Sequence, residues 1–282
     1  MRVLILGGHG QLGSKLISIF KSDHELLSFG HQEVDITDEY AVEQAFVKYK
    51  PHYVLNAAAN TQVEANESNA SAAYAVNAIG AYYVALAAHR YKAVVVHIST
   101  DYVFDGKRSY YVETDFPSPL NIYGASKLAG EQLVAIANKR HYIVRTSALF
   151  GEKQVGSPPN FVDFVVLSAR NKNNIKMVND QYTTPTYTDD LGKAIYDLLE
   201  QELPFGIYHI TNKGSCSWYE FALHILKEAE ITYKIQPIKS SESPSEIVRP
   251  RSSILRSNYS FDLPSWKNAV KRYLNNNVNY GT

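Results

Sequence analysis

Only one cysteine, Cys216, occurs in 282 residues, so no disulfide can form within the chain. An excess of either charge is missing too: 28 basic and 28 acidic residues leave a net charge of 0. No overall field therefore draws the chain to a nucleic-acid backbone or an anionic membrane. No apolar run approaches the roughly 20 residues that cross a bilayer. Met1 leads straight into an apolar segment, with no charged-then-apolar signal sequence. Internal repeats and low-complexity segments are absent as well. These absences predict a cytoplasmic globular protein whose partner is a small molecule, with no nucleic-acid or membrane partner. The 45% apolar content is enough to bury a full core, in one large domain or two smaller ones.

The first half alternates short β-like runs with longer helical ones, the pattern of a parallel sheet covered by helices. Strands are expected at 2–6, 25–29, 53–56, 93–99 and 142–146. Helices are expected at 11–21, where Leu12, Leu16, Ile17 and Phe20 share a face, at 38–50, with Ala41, Val42, Ala45 and Phe46, and at 70–91 and 126–138. That makes an α/β fold, a doubly wound parallel Rossmann sheet of at least five strands. After Gly151 the rhythm weakens, with Gly156-Ser-Pro-Pro159 and the segments 170–174 and 240–245 reading as loops. A helix at 189–202 and a strand at 206–210 that returns to the main sheet are still expected, and residues 275–282 are expected to fray. The C-terminal part is thus a smaller, less regular substrate-binding region.

Gly7-Gly8-His9-Gly10-Gln11-Leu12-Gly13 follows the first strand and opens the first helix. Glycines in that place allow a tight turn and bring backbone amides close to a pyrophosphate at the positive end of the helix. Dinucleotide binding is therefore expected. Residues 1–148 plus about 178–211 would form the NADP-binding Rossmann domain, and about 149–177 plus 212–282 the substrate-binding region. An NAD-binding fold often carries an acid at the end of its second strand for the ribose hydroxyls. Here the sequence reads Ser28-Phe29-Gly30-His31-Gln32, without an acid until Glu33. The preference then leans to NADPH, with His31 available to a 2′-phosphate and NADH as the other possibility.

Tyr123 and Lys127 form the only Tyr-x-x-x-Lys pair among 21 tyrosines. At the start of a helix, residues four apart share a face, so the Lys127 ammonium is expected to approach the phenol. A phenol has a pKa of about 10, and a neighbouring cation favours its ionised form. Tyr123 would then serve as a general acid. Ser99-Thr100-Asp101 closes the fourth strand, where carboxyl-end side chains reach the ligand crevice, so a Ser99 or Thr100 hydroxyl could hold a carbonyl oxygen. A turn or cap is the other reading of that run. Glycine loop, strand-end hydroxyl and Tyr-x-x-x-Lys, in that order, describe a short-chain dehydrogenase/reductase.

The runs "STDYVFDG" and "PLNIYGASKLAGE", with "GGHGQLG", "NAAANTQVE", "RTSALFG", "DQYTTPTYTDDL" and "RPRSSIL", resemble the dTDP-4-dehydrorhamnose reductase family of extended short-chain reductases. The resemblance is colinear over nearly the whole chain. It implies reduction of the 4-keto group of a nucleotide-linked 6-deoxy sugar, a nucleotide-sugar partner, and a monomer or homodimer. By position, it gives Thr100 to the ketone and the proton-donor role to Tyr123, while Lys127 would hold the nicotinamide ribose and tune Tyr123. Gly7, Gly10, Gln11, Leu12 and Gly13 would hold the pyrophosphate, and Asp35, Ile36, Ala57, Ala58 and Ala59 would line the adenosine side. Val63, Asn160, Phe161, Gln181 and Arg249 would lie on the substrate side. Asp35 reads equally well as an acid beside the start of a helix, and Arg249 as a surface ion pair.

Two departures bear on the substrate. Where the family commonly has tryptophan after "RTS", this chain has Ala148, which changes pocket volume and leaves the sugar open. Some relatives place acidic residues at a metal-linked dimer contact; no such set is identifiable here, and no metal is expected. A dehydratase of the same fold would usually carry an acid after the Thr-Asp pair, but this chain has Tyr102. A nucleotide-sugar epimerase and a non-catalytic NADP-binding regulatory subunit remain competing functions.

Overall fold

The computed structural model describes residues 1–152 and 158–276. Five of its strands, β1 (Arg2–Leu6), β2 (Glu25–Phe29), β3 (Tyr53–Asn56), β4 (Val94–Thr100) and β5 (His141–Thr146), alternate with helices as the periodicity requires. The strand Gly206–His209 pairs parallel with β5, completing a six-stranded sheet. Its spatial order is Gly206–His209, β5, β4, β3, β1, β2. The chain reverses its direction of travel across the sheet between β1 and β3, and a crevice at that switch point is where ligands of open α/β sheets bind.

Both sheet faces are covered, which is why the strands read as near-continuous apolar runs rather than alternating ones. Val3, Ile5, Leu55, Val96 and Val144 pack beneath α1 (Gln11–Phe20) and the later helix Thr188–Glu200. On the other face Leu4, Leu6, Val54 and Val95 meet α2 (Glu39–Tyr49) and the alanine-rich helices. Asp38 caps α2 by accepting from the amides of Tyr40 and Ala41.

The segment 70–91 differs from the single helix expected. It follows the short α3 (Val63–Ser68) and divides into α4 (Ala70–Tyr74), a π-helical stretch Ala75–Gly80, and α5 (Ala81–Arg90). Gly80 lies so close to α2's approach that a Cβ there would meet the Ile36 side chain at 2.8 Å. Buried Asn77 sits in the π segment, exchanges bonds with the Asn60 backbone and donates to the Ser126 hydroxyl, which ties this helix to the loop after β3 and to the later segment 121–126. Ala70–Arg90 has the length and mean hydropathy, 1.2, of a membrane span, contrary to the expectation that no segment would. Its Ala73, Ala78, Ala81, Val84, Ala85 and Ala88 are buried, most of them against the sheet.

α6 spans Ile122–Ala137 and starts four residues before the expected 126, because Asn121 caps it by accepting from the Gly124 amide at 2.9 Å. The C-terminal region is more regular than its sequence rhythm implied. Helices α7 (Phe161–Arg170), α8 (Thr188–Glu200), α9 (Trp218–Glu228) and α10 (Trp266–Asn276) are all present, and α7, α9 and α10 enclose a second core around Phe150, Phe221 and Trp266. The first turn of α9 carries a Ser217/Glu220 capping box that the sequence reading passed over. Asn275 and Asn276 end α10 rather than fraying; the rest of that expected tail, and Gly156 and Ser157 of the expected loop, lie outside the described residues.

Candidate active site

Gly7 ends β1 with φ at +78°, and the Gly7 and Gly8 amides both donate to the Phe29 carbonyl at 3.0 Å. A side chain at Gly7 would meet the Ala58 amide nitrogen at 2.6 Å, and one at Gly13 would meet the Gly7 carbonyl oxygen at 2.1 Å. Loop, β3 end and α1 thus pack at backbone distance. Gly10 is the N-cap of α1 and offers no side-chain cap, so the helix's first amides and its positive end are left to an anion.

Two adjoining clefts meet at this loop and share Gly10, Ala57 and Ala59. One, of about 490 Å³, runs over Gly7, His31, Asp35, Ile36 and Ala58. The other, of about 390 Å³, runs over Gln11, Leu12, Gly13, Thr100, Tyr123 and Lys127. Every residue assigned from sequence to the dinucleotide lines one or both. The cradle therefore fits a dinucleotide: glycines at 7 and 13 let the loop close on β3 and α1 at backbone distance, and the helix end facing it is uncapped.

At the far end of this cleft the acids are already engaged. Glu33 accepts from the Gly30 amide at 2.7 Å and lies 3.3 Å from His9. Asp35 accepts from the Thr37 amide and hydroxyl at 2.9 and 2.8 Å. Burial works against its ionisation, but the Thr37 bonds and the His31 ring 3.5 Å away outweigh it and lower its pKa. Two histidines, His9 and His31, face this cleft beside those carboxylates. His9 escaped the sequence reading, because a ring inside a glycine motif carries no spacing signal.

Deeper in, β4 and α6 set three side chains over one cleft. Thr100 is the last residue of β4, and Tyr123, Lys127 and Glu131 follow on successive turns of one α6 face. Lys127, one helical turn beyond the Tyr123 phenol, donates from Nζ to the Ile98 carbonyl at 2.6 Å. Burial pushes that phenol above the usual 10; a hydrogen bond with Thr100 opposes the rise, and the charge of Asp101 adds to it. Burial also brings Lys127 down to about 8, against the pull of Glu131.

Thr100 Oγ1 donates to Asp101 Oδ1 at 3.1 Å and accepts from the Tyr102 amide at 3.2 Å. Asp101 is buried, which raises its pKa to about 6 although Ser253, Ser147 and Thr100 all hydrogen-bond to it. Ser147 donates to its Oδ2 at 2.8 Å. Behind these groups, Glu131 takes both arms of the Arg145 guanidinium at 2.9 and 2.7 Å and the Ser99 hydroxyl at 2.5 Å. Ser99 lines the same cleft, and its hydroxyl is engaged by Glu131. Glu131 had a legible signal, one helical turn beyond Lys127. Arg145 and Ser147 had none, since their role depends on β5 lying beside β4.

The substrate-side residues divide. Phe161, Gln181 and Arg249 line a separate groove of about 900 Å³ together with Glu64 and Trp218. Asn160 is occupied structurally: its oxygen caps α7 through the Asp163 amide, and its Nδ2 donates to the Gly151 carbonyl and the Tyr273 hydroxyl, both at 2.9 Å. Val63, half-buried, begins α3, and its neighbour Glu64 reaches the groove instead. Ala148 lines the cleft of Thr100, Tyr123 and Lys127 with φ at +43°, a left-handed conformation uncommon for a non-glycine residue. Among the described residues no group of three or more His, Cys, Asp or Glu side chains is placed to hold a metal.

A family model described as "RmlD substrate binding domain" matches residues 1–279. The spore coat polysaccharide biosynthesis protein SpsK of Bacillus subtilis is 39% identical, covering 97% of this chain and 96% of that one. The dTDP-4-dehydrorhamnose reductase of Aggregatibacter actinomycetemcomitans is 36% identical over 96% and 97%. The crystal structure of dTDP-4-dehydrorhamnose reductase from Bacillus anthracis, in complex with NADP, superposes with a TM-score of 0.93 at 37% identity, covering 98% and 99%.

Proposed function

The chain belongs to the dTDP-4-dehydrorhamnose reductase family, and from that premise we propose that it uses NADPH to reduce the 4-keto group of a nucleotide-linked 6-deoxy sugar. Conversion of dTDP-4-dehydrorhamnose to dTDP-rhamnose is the reaction it fits best. The observation that carries the reading is a single cleft holding the glycine loop at one side and Thr100, Tyr123 and Lys127 at the other. NADP bound to the Bacillus anthracis relative supports the choice of cofactor. So does the second-strand end, where two histidines stand and the carboxylates are already paired. Residues 1–148 plus about 178–211 act as the nucleotide-binding part in this proposal, and the remainder as the substrate-binding part.

The dinucleotide, when bound, supplies a hydride to the carbonyl carbon. Everything else falls to the chain. Gly7, Gly10 and Gly13 admit the pyrophosphate to the helix end, and Lys127 holds the ribose beside Tyr123. Tyr123, and Thr100 once its hydroxyl turns from Asp101, give their hydrogen bonds to the ketone oxygen, where negative charge develops. Tyr123 then passes its proton to that oxygen. A phenol held protonated by burial is suited to this, since a developing alkoxide is a much stronger base than phenolate. Tyr102, in the position where a dehydratase would carry an acid, is pushed up to about 12 by burial although the charge of Arg249 opposes the rise, which favours reduction without elimination. Ala148 leaves the cleft wall beside Thr100 and Tyr123 without a large ring, so the sugar is decided by volume rather than aromatic contact.

NADPH oxidation measured against dTDP-, UDP- and GDP-linked 4-keto sugars tests the proposal. Oxidation is expected with a dTDP-linked 6-deoxy-4-keto sugar, and deuterium from labelled cofactor should remain in the product. Loss of the label would point to an epimerase, and no oxidation with any of the three to a cofactor-binding regulatory subunit. A pH profile tests Lys127 separately. Its folded pKa is lowered to about 8, so the cation is present below that pH and lost above it. Cofactor affinity and turnover should both decline as pH rises through about 8, and a flat profile to pH 10 would remove the ammonium from the mechanism.

A further inference from the structure

We propose that Glu64 is a placeholder for the diphosphate of the substrate: it neutralises Arg249 in the substrate groove until an anionic ligand takes the guanidinium over. This rests on the nucleotide-sugar reading above. Arg249 donates from its NH2 nitrogen to Glu64 Oε1, joining α3 to a strap 185 residues further along the chain. Both side chains line the groove of about 900 Å³, and the mutually packed rings of Phe161 and Trp218 line it too, as apolar surface for a base. The other charged groups of its lining are Lys176 and Glu242, and Glu242 is already taken by the Lys239 amide at 2.6 Å.

Arg249 does not depend on Glu64 for its place. Asn121, the cap of α6, donates to the Val248 carbonyl at 3.1 Å. Pro250 and Arg251 press on Gly106 so closely that a Cβ there would meet the Arg251 amide nitrogen at 2.5 Å. The guanidinium's charge also acts on the buried Tyr102 phenol, whose ring meets that of Tyr123 edge-on at 5.8 Å. Glu64 is anchored independently, because Glu67 on the same short helix accepts from the Ile122 amide at 2.9 Å. Two separately held groups thus meet across the groove wall.

The bridge between them is weak for a physical reason. The Glu64 side chain is 64% exposed and that of Arg249 27%, so the carboxylate gains little by pairing and returns readily to water. A diphosphate brings more negative charge and can accept from the guanidinium bidentately. Removing the carboxylate therefore relieves a competitor, whereas removing the guanidinium takes away the binding group itself. Because the charge of Arg249 acts on Tyr102, occupation of the groove is linked through one ring contact to Tyr123.

Calorimetric titration with thymidine diphosphate and uridine diphosphate separates the roles, with NADPH affinity as the check on folding. Glu64→Gln should bind the nucleoside diphosphate about two- to fivefold more tightly, the range expected on losing one exposed ion pair. Arg249→Met should weaken it by about tenfold or more, as loss of a charge-assisted bond does. Glu64→Gln added to Arg249→Met should then change nothing further. Unchanged or weaker binding by Glu64→Gln alone would overturn the placeholder while leaving the nucleotide-sugar reading intact. A wild-type protein that binds NADPH but neither diphosphate would sink that reading, and the placeholder with it.

Discussion

Replacing Tyr123 with phenylalanine is expected to lower turnover by about 10²- to 10⁴-fold, the usual contribution of a positioned general acid. NADPH affinity should stay within about twofold, because the cradle at Gly7, Gly10 and Gly13 is built from backbone. The substitution is close to isosteric. It keeps the ring contact with Tyr102 and removes only the hydroxyl that bonds Thr100. A loss confined to turnover therefore reports the proton rather than the packing. Stopped-flow turnover combined with a fluorescence titration of NADPH measures both quantities. Wild-type turnover in this variant would mean that the oxygen receives its proton from elsewhere, with Thr100 and its neighbour Asp101 the next groups to change.

The largest expected loss of stability comes from breaking the Arg145–Glu131 pair. The two side chains are 2% and 3% exposed, and removing one partner leaves the other charged in the core. Arg145→Met should cost about 3–5 kcal/mol, the usual penalty for an uncompensated buried charge. In thermal unfolding the Tm should fall by about 10 °C. Adding Glu131→Met to Arg145→Met should recover more than half of the loss, since an apolar pair carries no desolvation cost. The single variant should also lose activity while still folded. Glu131 fixes Ser99, the residue before Thr100, and without Arg145 that acid is free to shift. If the single variant unfolds at the wild-type temperature, the pair is not a brace.

Much of the cofactor half was legible because its signals are local. A parallel strand buried on both faces reads as an apolar run, a glycine loop must stand between strand and helix, and residues four apart on a helix share a face. Each needs only a short stretch of chain. The C-terminal helices α7, α9 and α10 were missed for the opposite reason: their apolar residues acquire a common purpose only around Phe150, Phe221 and Trp266. The π-helical stretch at Ala75–Gly80 was likewise beyond periodicity, since it accompanies Asn77's bonds to Asn60 and Ser126 in other segments.

The sequence by itself determined the fold class and pointed to a glycine loop and to Thr100, Tyr123 and Lys127, which line one cleft, because backbone freedom at glycine and helical spacing are properties of neighbouring residues. Tertiary structure alone decided what surrounds them. It joined Lys127 to the Ile98 carbonyl, set Arg145 against Glu131, brought Ser147 to Asp101, and brought Glu64 to Arg249. In each case the partner comes from another segment or the conformation depends on burial. Charge and hydrogen bonding depend on distance in space, and the order of residues along the chain does not carry that distance.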